Sequence, residues 1–288
     1  MKCIALIFNP SFGEKALKVA RELLAYLEAR GKEVLLLADQ ACFLGRSGVG
    51  QPEIKKAELL LSLGGDGTLL STVSLAGPLG LPVLGINLGR LGFLTELDVA
   101  NMYAGLEAVL AGKFAVEERA LLEGRVIREG KVVKQVLCLN ECVVGRGALS
   151  RPCRLEVRVD GQCAFRFTGD GIIIATPTGS TAYSFSAGGP IIDPQVAALV
   201  LTPICPHAFV LRPFVVPDSS LIEVLLLTSV TGMCLTADGH EGIPLLAEDR
   251  VVVKRYARSF KLVRLFHRSF YCLVRDKLIS QGLEECLP

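Results

Sequence analysis

Residues 63–68 read Leu-Gly-Gly-Asp-Gly-Thr. A carboxylate stands inside a glycine turn, and no lysine or arginine occurs from 57 to 89. Glycines that end a strand and open a helix let the backbone approach a ligand closely, and free helix N–H groups attract phosphate. The segment is not a P-loop, because no Gly-Lys-Ser/Thr follows, and it lacks the spaced Gly-x-Gly-x-x-Gly pattern. An aspartate beside phosphates is repulsive unless a metal ion bridges them or the carboxylate serves as a base. Both uses belong to phosphoryl transfer. An Asp-Gly turn with an Asp or Thr helix cap has the same composition and needs no ligand.

A second segment spans residues 176–190, from Thr176-Pro177-Thr178-Gly179-Ser180-Thr181 to Gly188-Gly189-Pro190. Seven of the eleven residues from 176 to 186 carry a hydroxyl. Such a set of neutral donors and acceptors suits ribose, amide and phosphate groups, and Tyr183 could stack on a base. A Ser/Thr-rich helix start is the plainer reading. The run is not a Gly-x-Ser-x-Gly elbow, which disfavours a serine hydrolase. Three smaller spots each read alone as a turn or strand end: Asn140-Glu141, Asp170 in Thr168-Gly169-Asp170-Gly171, and Asp238-Gly239-His240.

The elements that must position these segments fall into two textures. Residues 2–8 form a continuous apolar run ended by Asn9-Pro10, as expected of a strand covered on both faces. The spacing of Ala16, Ala20, Leu23, Leu24 and Leu27 predicts a helix over 14–30, stopped by Gly31. Strands follow at 33–37, 58–63 and 82–86, with a helix from about Thr68 between the last two and another at 99–111. Residues 38–56 read as a mobile loop. This β-α-β-β-α-β order argues an open α/β sheet. From about 114 the pattern changes to period two. Leu155, Val157 and Val159 alternate with polar residues, then Cys163, Phe165 and Phe167 do the same across Asp160-Gly161, a strong hairpin signal. A second hairpin is expected over 123–144, turned at Glu129-Gly130. Further strands are expected at 171–175, 221–227, 233–237 and 250–256, and a last helix at 270–278. The fold class is α/β plus all-β: an N-terminal open, Rossmann-like domain over 1–98, then a β-rich sandwich domain over 99–261.

Composition narrows the function. Of 288 residues, 51% are hydrophobic and the net charge is only +2, which excludes a disordered chain and does not suggest a nucleic-acid or membrane-surface binder. The longest apolar runs are too short to span a bilayer. The apolar start imitates a signal peptide but stops after six residues without a cleavage site, so a cytoplasmic protein is expected. None of the ten cysteines forms a Cys-x-x-Cys pair, and the three histidines do not share ligand spacing with them, so no metal ligands are assigned and the thiols read as reduced and mostly buried.

These residues carry a resemblance. The chain resembles a bacterial-type NAD kinase along nearly its whole length, through Gly64-Gly65-Asp66-Gly67-Thr68, Asn87-Leu88-Gly89-Arg90-Leu91-Gly92-Phe93-Leu94-Thr95, Asn140-Glu141, the 176–190 run and Asp238-Gly239. The glycine-aspartate motif alone also suits diacylglycerol-kinase-like and phosphofructokinase-like enzymes; the 176–190 run is far more specific. The resemblance implies transfer of the γ-phosphoryl of ATP, or of a phosphoryl of inorganic polyphosphate, to the 2′-hydroxyl of the adenosine ribose of NAD, with Mg²⁺ neutralising the triphosphate. It implies that Asp66 accepts the hydroxyl proton and that Gly67 and neighbouring amides line the site. It places Asn140 and Glu141 on the ribose and nicotinamide end, and Asp170, Thr181, Ala182, Tyr183 and Ser186 on the bases and amide. Phe93 is expected near the adenine and Arg151 near the substrate.

Two positions depart from the family pattern and are carried as substrate-binding with Asp238. Thr168 stands where many relatives have Arg, and His240 where many have Gln, which puts affinity and pH optimum in question. The resemblance also implies a homodimer or homotetramer built through the β domain, and a C-terminal segment, about 262–288, that returns to the first domain. The competing expectations are a lipid or sugar kinase of the same glycine-aspartate type, which does not need the hydroxyl-rich run, and a non-catalytic dinucleotide sensor, against which the intact Asp66 argues.

Overall fold

The computed structural model describes residues 1–89, 92–147, 151–207, 210–228, 232–240, 242–266 and 269–279. The chain divides into a unit of Met1–Glu118 joined by the segment from Phe260, and a unit of Arg119–Ser259.

The first unit is built on a seven-stranded sheet. Its strands run in the order Glu33–Leu36, Cys3–Phe8, Leu59–Gly64, Val83–Asn87, Phe260–Arg264 and Ala115–Arg119, with Leu97–Asp98 pairing beside Val83–Asn87. The pairs from Glu33–Leu36 through Val83–Asn87 are parallel, and every residue of Cys3–Phe8 and Leu59–Gly64 is buried. Continuous apolar runs are what a two-sided parallel sheet requires. The helix Glu14–Glu28 turns Ala16, Val19, Ala20, Leu23, Leu24 and Leu27 onto the sheet. Fully burying each leucine contributes roughly 1.5–3 kcal/mol. Gly31, at φ +67°, ends that helix as expected. From Cys3–Phe8 the chain first moves to one neighbouring strand, then returns to the other side with Leu59–Gly64. Ligands of open α/β sheets bind at the carboxyl ends of strands flanking such a reversal. Asn9 and the glycine-aspartate turn occupy those ends, and the Asn9 N–H donates to the Leu63 carbonyl at 3.2 Å.

Residues 38–56 hold a short helix, Ala38–Ala41, followed by 3₁₀ turns, with Ala41 and Ile54 buried. That anchoring departs from the expected loop.

The second unit is a sandwich of two six-stranded sheets. One runs Gln162–Gly169, Cys153–Val159, Ile222–Leu226, Arg250–Arg255, Leu122–Arg128 and Lys131–Cys138. The other runs Phe214–Pro217, Ala198–Ile204, Gly171–Ala175, Glu141–Arg146, Met233–Ala237 and Ile243–Pro244. Leu122, Leu155, Val157 and Val251 of the first pack with Val144, Ile172, Ile174 and Leu235 of the second in one core. Both hairpins turn where expected, with Glu129-Gly130 and Asp160-Gly161 at positive φ, the conformation of a tight two-residue turn. The first hairpin ends at Cys138 rather than 144, because the chain crosses there into the other sheet. Asn140 sits at that crossing.

Candidate functional site

In the first unit, Asp66 opens the helix Asp66–Ser71 and is half-buried. Its carboxylate accepts three backbone N–H groups from a loop 27 to 29 residues further on: Phe93 at 2.7 Å, and Leu94 and Thr95 at 3.1 Å each. The Thr95 hydroxyl adds a donor at 3.3 Å. That hydroxyl in turn accepts from the Asn87 amide at 3.1 Å and the Gly92 N–H at 2.9 Å. Asn87 and Thr95 are both buried. Hydrogen bonds to a charged group are the strong kind, about 1.5–3 kcal/mol each, so the carboxylate is held in one orientation. Gly92 makes room for it. A Cβ built on Gly92 would lie 2.0 Å from Asp66 Oδ1 and 2.3 Å from Oδ2. Gly67 is exposed with open space around it, and Phe93 is half-buried. Arg90 and Leu91 of the same motif lie outside the described residues.

In the second unit, a second carboxylate repeats the device. Asp238, at φ +50°, accepts the N–H groups of Leu139 and Asn140 at 2.7 Å each and of Glu141 at 3.1 Å. The crossing at Asn140 is further tied by Thr176, whose hydroxyl donates to the Leu139 carbonyl at 2.6 Å and whose N–H donates to the Asn140 carbonyl at 2.8 Å. Gly179 packs on the same turn: a Cβ there would lie 2.2 Å from the Asn140 carbonyl oxygen. Asn140 and Glu141 are buried, and Glu141 Oε2 has no hydrogen-bond partner among the described residues. Burial, then the nearby Asp238 charge, push the Glu141 carboxyl up to about 8. Burial also raises the Asp238 carboxyl, against the pull of its three amides.

The hydroxyl-rich run splits by direction. Thr176, Thr178, Ser180 and Ser184 are buried. Ser180 Oγ donates to the Pro177 carbonyl at 2.6 Å, Ser184 bonds Thr202 at 2.9 Å, and Thr178 accepts from Arg119 at 3.2 Å. Thr181 and Ala182 are half-buried, while Tyr183 and Ser186 are exposed. Four hydroxyls therefore build the turn, and the other side of the run is left accessible.

Asp170 is held by Arg146 through two hydrogen bonds, Nε to Oδ1 at 2.6 Å and Nη2 to Oδ2 at 3.2 Å. Arg146, Asp170 and Tyr183 line one cavity of about 350 Å³ that Cys234 and Thr236 also border. Thr168 lies opposite Arg154 in the strand pair, and its carbonyl accepts the His207 N–H at 2.8 Å. Arg151 and His240 are exposed. Within the first unit, then, Asp66 and the Phe93 loop meet. Within the second, Asn140, Glu141 and Asp238 meet at the crossing, and Asp170 and Tyr183 meet at the cavity.

Comparison with known proteins follows the same segments. Residues 46–114 match the family model described as the ATP-NAD kinase N-terminal domain, and residues 139–265 the one described as the ATP-NAD kinase C-terminal domain. A curated NAD kinase of Moorella thermoacetica is 44% identical over 281 residues, covering 97% of this chain and 89% of that protein. The chain belongs to the NAD kinase family. The NAD kinase of Desulforamulus reducens is 41% identical over 281 residues, covering 96% of this chain and 97% of that protein. Among solved structures, yeast NADH kinase complexed with NADH is similar at a TM-score of 0.89 and 26% identity, over 100% of this chain and 89% of that one. An NAD kinase from Archaeoglobus fulgidus in complex with ATP is similar at 0.72 and 27%, over 95% and 98%.

Three residues of this NAD kinase family member were not singled out by sequence reasoning. Gly92 lies inside a family motif, but its purpose, clearance for Asp66, shows only when the loop folds back. Arg146 closes an apolar strand six residues after Asn140, and a charge at that place was the available signal. Arg119 is buried beneath the hydroxyl-rich run and gave none.

Proposed function

We propose that the chain is a NAD kinase in activity as well as family, transferring the γ-phosphoryl of ATP, or a phosphoryl of polyphosphate, to the 2′-hydroxyl of the adenosine ribose of NAD. The observation that carries this reading is the Asp66 carboxylate, fixed by three amides and cleared by Gly92 within a kinase motif. A ribose hydroxyl is a weak nucleophile, and the transition state of phosphoryl transfer is loose. The protein therefore contributes mainly position and a proton acceptor. Asp66 takes the hydroxyl proton as the new O–P bond forms and the bond to the leaving phosphate breaks. The amides of 93–95 keep its oxygens in place. Gly67 and Phe93 line the approach to it.

Asn140 and Glu141 hold the ribose and nicotinamide end, with Asp238 fixing the turn that carries them. Asp170, Thr181, Ala182, Tyr183 and Ser186 contact the bases and amide, and Thr168, Arg151 and His240 lie toward the substrate. The accessible side of the hydroxyl-rich run supports this division. Magnesium enters with the triphosphate as part of the substrate. Among the described residues no group of three or more His, Cys, Asp or Glu side chains is placed to hold a metal.

A reducing, cytoplasmic setting suits the free thiols of Cys138 and Cys142, whose sulfurs lie 3.4 Å apart. No helix among the described residues is long and apolar enough to cross a membrane. A homodimer or homotetramer built through the β domain is supported by the exposed Phe214 and Val215 on an edge strand. The test of the activity is direct. The purified protein is incubated with NAD, Mg²⁺ and either ATP or polyphosphate, and NADP is measured with an NADP-specific dehydrogenase. NADP formation is expected, and its absence with both donors refutes the proposal.

A further inference from the structure

The loop that cradles Asp66 has a second face. The carbonyl of Phe93 and the N–H of Leu94 belong to one peptide group, and the carbonyl of Leu94 and the N–H of Thr95 to the next. The two N–H groups donate to Asp66 Oδ1 at 3.1 Å each. The two carbonyls accept from a single guanidinium, that of Arg264: Leu94 from Nη1 at 3.3 Å and Phe93 from Nη2 at 3.4 Å. Arg264 ends the strand Phe260–Arg264, which pairs parallel with Val83–Asn87. Its Nε donates to Glu117 at 2.7 Å, and Nη1 also reaches Glu96 at 3.1 Å. Glu96 is buried and locks the end of that strand by accepting the N–H groups of Leu265 and Phe266 at 2.8 Å each.

We infer that Arg264 is a positioning residue for Asp66, acting through the two peptide groups that lie between their charges. A cation at the oxygen end and an anion at the N–H end polarise a peptide group in the same sense, so each hydrogen bond strengthens the other. The planar guanidinium presents donors in a rigid fork, which suits two carbonyls one residue apart. A lysine offers a point charge and cannot hold both carbonyls together with two carboxylates. Glu117, on the strand Ala115–Arg119, and the buried Glu96 fix the guanidinium from the remaining directions. The inference rests on Asp66 being the proton acceptor of the proposed reaction. The position of the loop itself does not.

The test compares Arg264→Met and Arg264→Lys in the wild-type and Asp66→Asn backgrounds. Turnover is measured against NAD and Mg·ATP, and hydrogen exchange is followed at the Leu94 and Thr95 amides. Misplacing a reacting group by an ångström costs about 10²-fold. Arg264→Met is therefore expected to lower kcat by roughly 10- to 100-fold. KM for NAD should stay nearly unchanged, and Arg264→Lys should fall between. In the Asp66→Asn background the same change should have little further effect on turnover. The two amides should exchange markedly faster without the guanidinium. Equal losses of kcat in both backgrounds, a loss carried by KM, or unchanged exchange at Leu94 and Thr95 each overturn the inference. If Arg264→Met does not fold, Arg264→Lys carries the comparison. If the wild-type protein makes no NADP, the functional reading fails, and the exchange of the two amides still decides whether Arg264 holds the loop.

Discussion

Replacing Gly92 by alanine puts a methyl group where the Asp66 carboxylate now sits. The Cβ would lie 2.0, 2.2 and 2.3 Å from Oδ1, Cγ and Oδ2, against the 3.0 Å below which such contacts essentially never occur. Either the carboxylate retreats by about 1 Å or the 92–95 loop does. Both movements stretch hydrogen bonds that now measure 2.7 and 3.1 Å beyond useful length. Gly92 does not adopt positive φ, so alanine adds no left-handed backbone strain, and the three atoms nearest its Cβ all belong to the Asp66 carboxylate. A misplacement of that size costs about 10²-fold in turnover, or about 2.7 kcal/mol of activation free energy. The assay is steady-state NADP formation, run beside thermal unfolding. Gly92→Ala should lower kcat about 100-fold. It should also lower Tm in the wild-type background but much less in an Asp66→Ala background, where no carboxylate stands in the way. A kcat within about threefold of wild type, or an equal loss of Tm in both backgrounds, would refute the reasoning.

Three further outcomes follow from the same geometry. Asp66→Asn should keep NAD binding, measured by calorimetry, and lose about 10²–10⁴-fold in kcat, since an amide can neither accept the proton nor accept from all three N–H groups; unchanged turnover would remove Asp66 as the base. Glu141 keeps its proton up to about pH 8 when folded but loses it near 4.5 when unfolded. Between those values the folded state binds more protons, so stability falls as pH rises, by an amount that reaches on the order of 5 kcal/mol. Glu141→Gln removes that penalty, so its Tm advantage should grow from pH 4.5 to 8 and then level off; a gap independent of pH would contradict the assignment. Asp238→Asn takes away one cause of the Glu141 shift and an acceptor for three amides, so that stability decline should still begin near pH 4.5 but end at a lower pH, and KM for NAD should rise more than kcat falls.

Local chemistry was readable in the residues, and long-range partnership was not. Asp160-Gly161 and Glu129-Gly130 announce their turns because two neighbouring residues fix the backbone. The helix Glu14–Glu28 is visible because its apolar residues repeat on one face. The strand Phe260–Arg264 was not foreseen as a strand of the first sheet. Its five residues interleave two charges with apolar ones, and its partner Val83–Asn87 is far away in sequence. Likewise the crossing after Cys138 hides inside what reads as one continuous hairpin. At the site, Asp66 stood out as a lone carboxylate among glycines in a stretch without cations. What holds it comes from 92–95, and nothing in either segment names the other. By composition the seven hydroxyls of 176–186 form one set. Burial divides them, because Thr176, Thr178, Ser180 and Ser184 must satisfy the backbone of their own turn and of its neighbours.

The insertion of Phe260–Arg264 into the first sheet also orders events in time. On the ribosome, Arg119–Ser259 is a contiguous stretch and can close its two sheets as soon as it emerges. The sheet begun by Cys3–Phe8 has its other strands by Arg119, but it cannot be finished until the roughly 140 residues of Arg119–Ser259 have also been made, a wait on the order of 10 s at ordinary rates of synthesis. During that wait, the flank of Val83–Asn87 beyond its short pairing with Leu97–Asp98 lacks a permanent neighbour, and that edge is open to other chains. The strand that ends the wait also delivers Arg264 to the loop behind Asp66. The last strand to join the first sheet therefore completes the cradle of the residue proposed to do the chemistry.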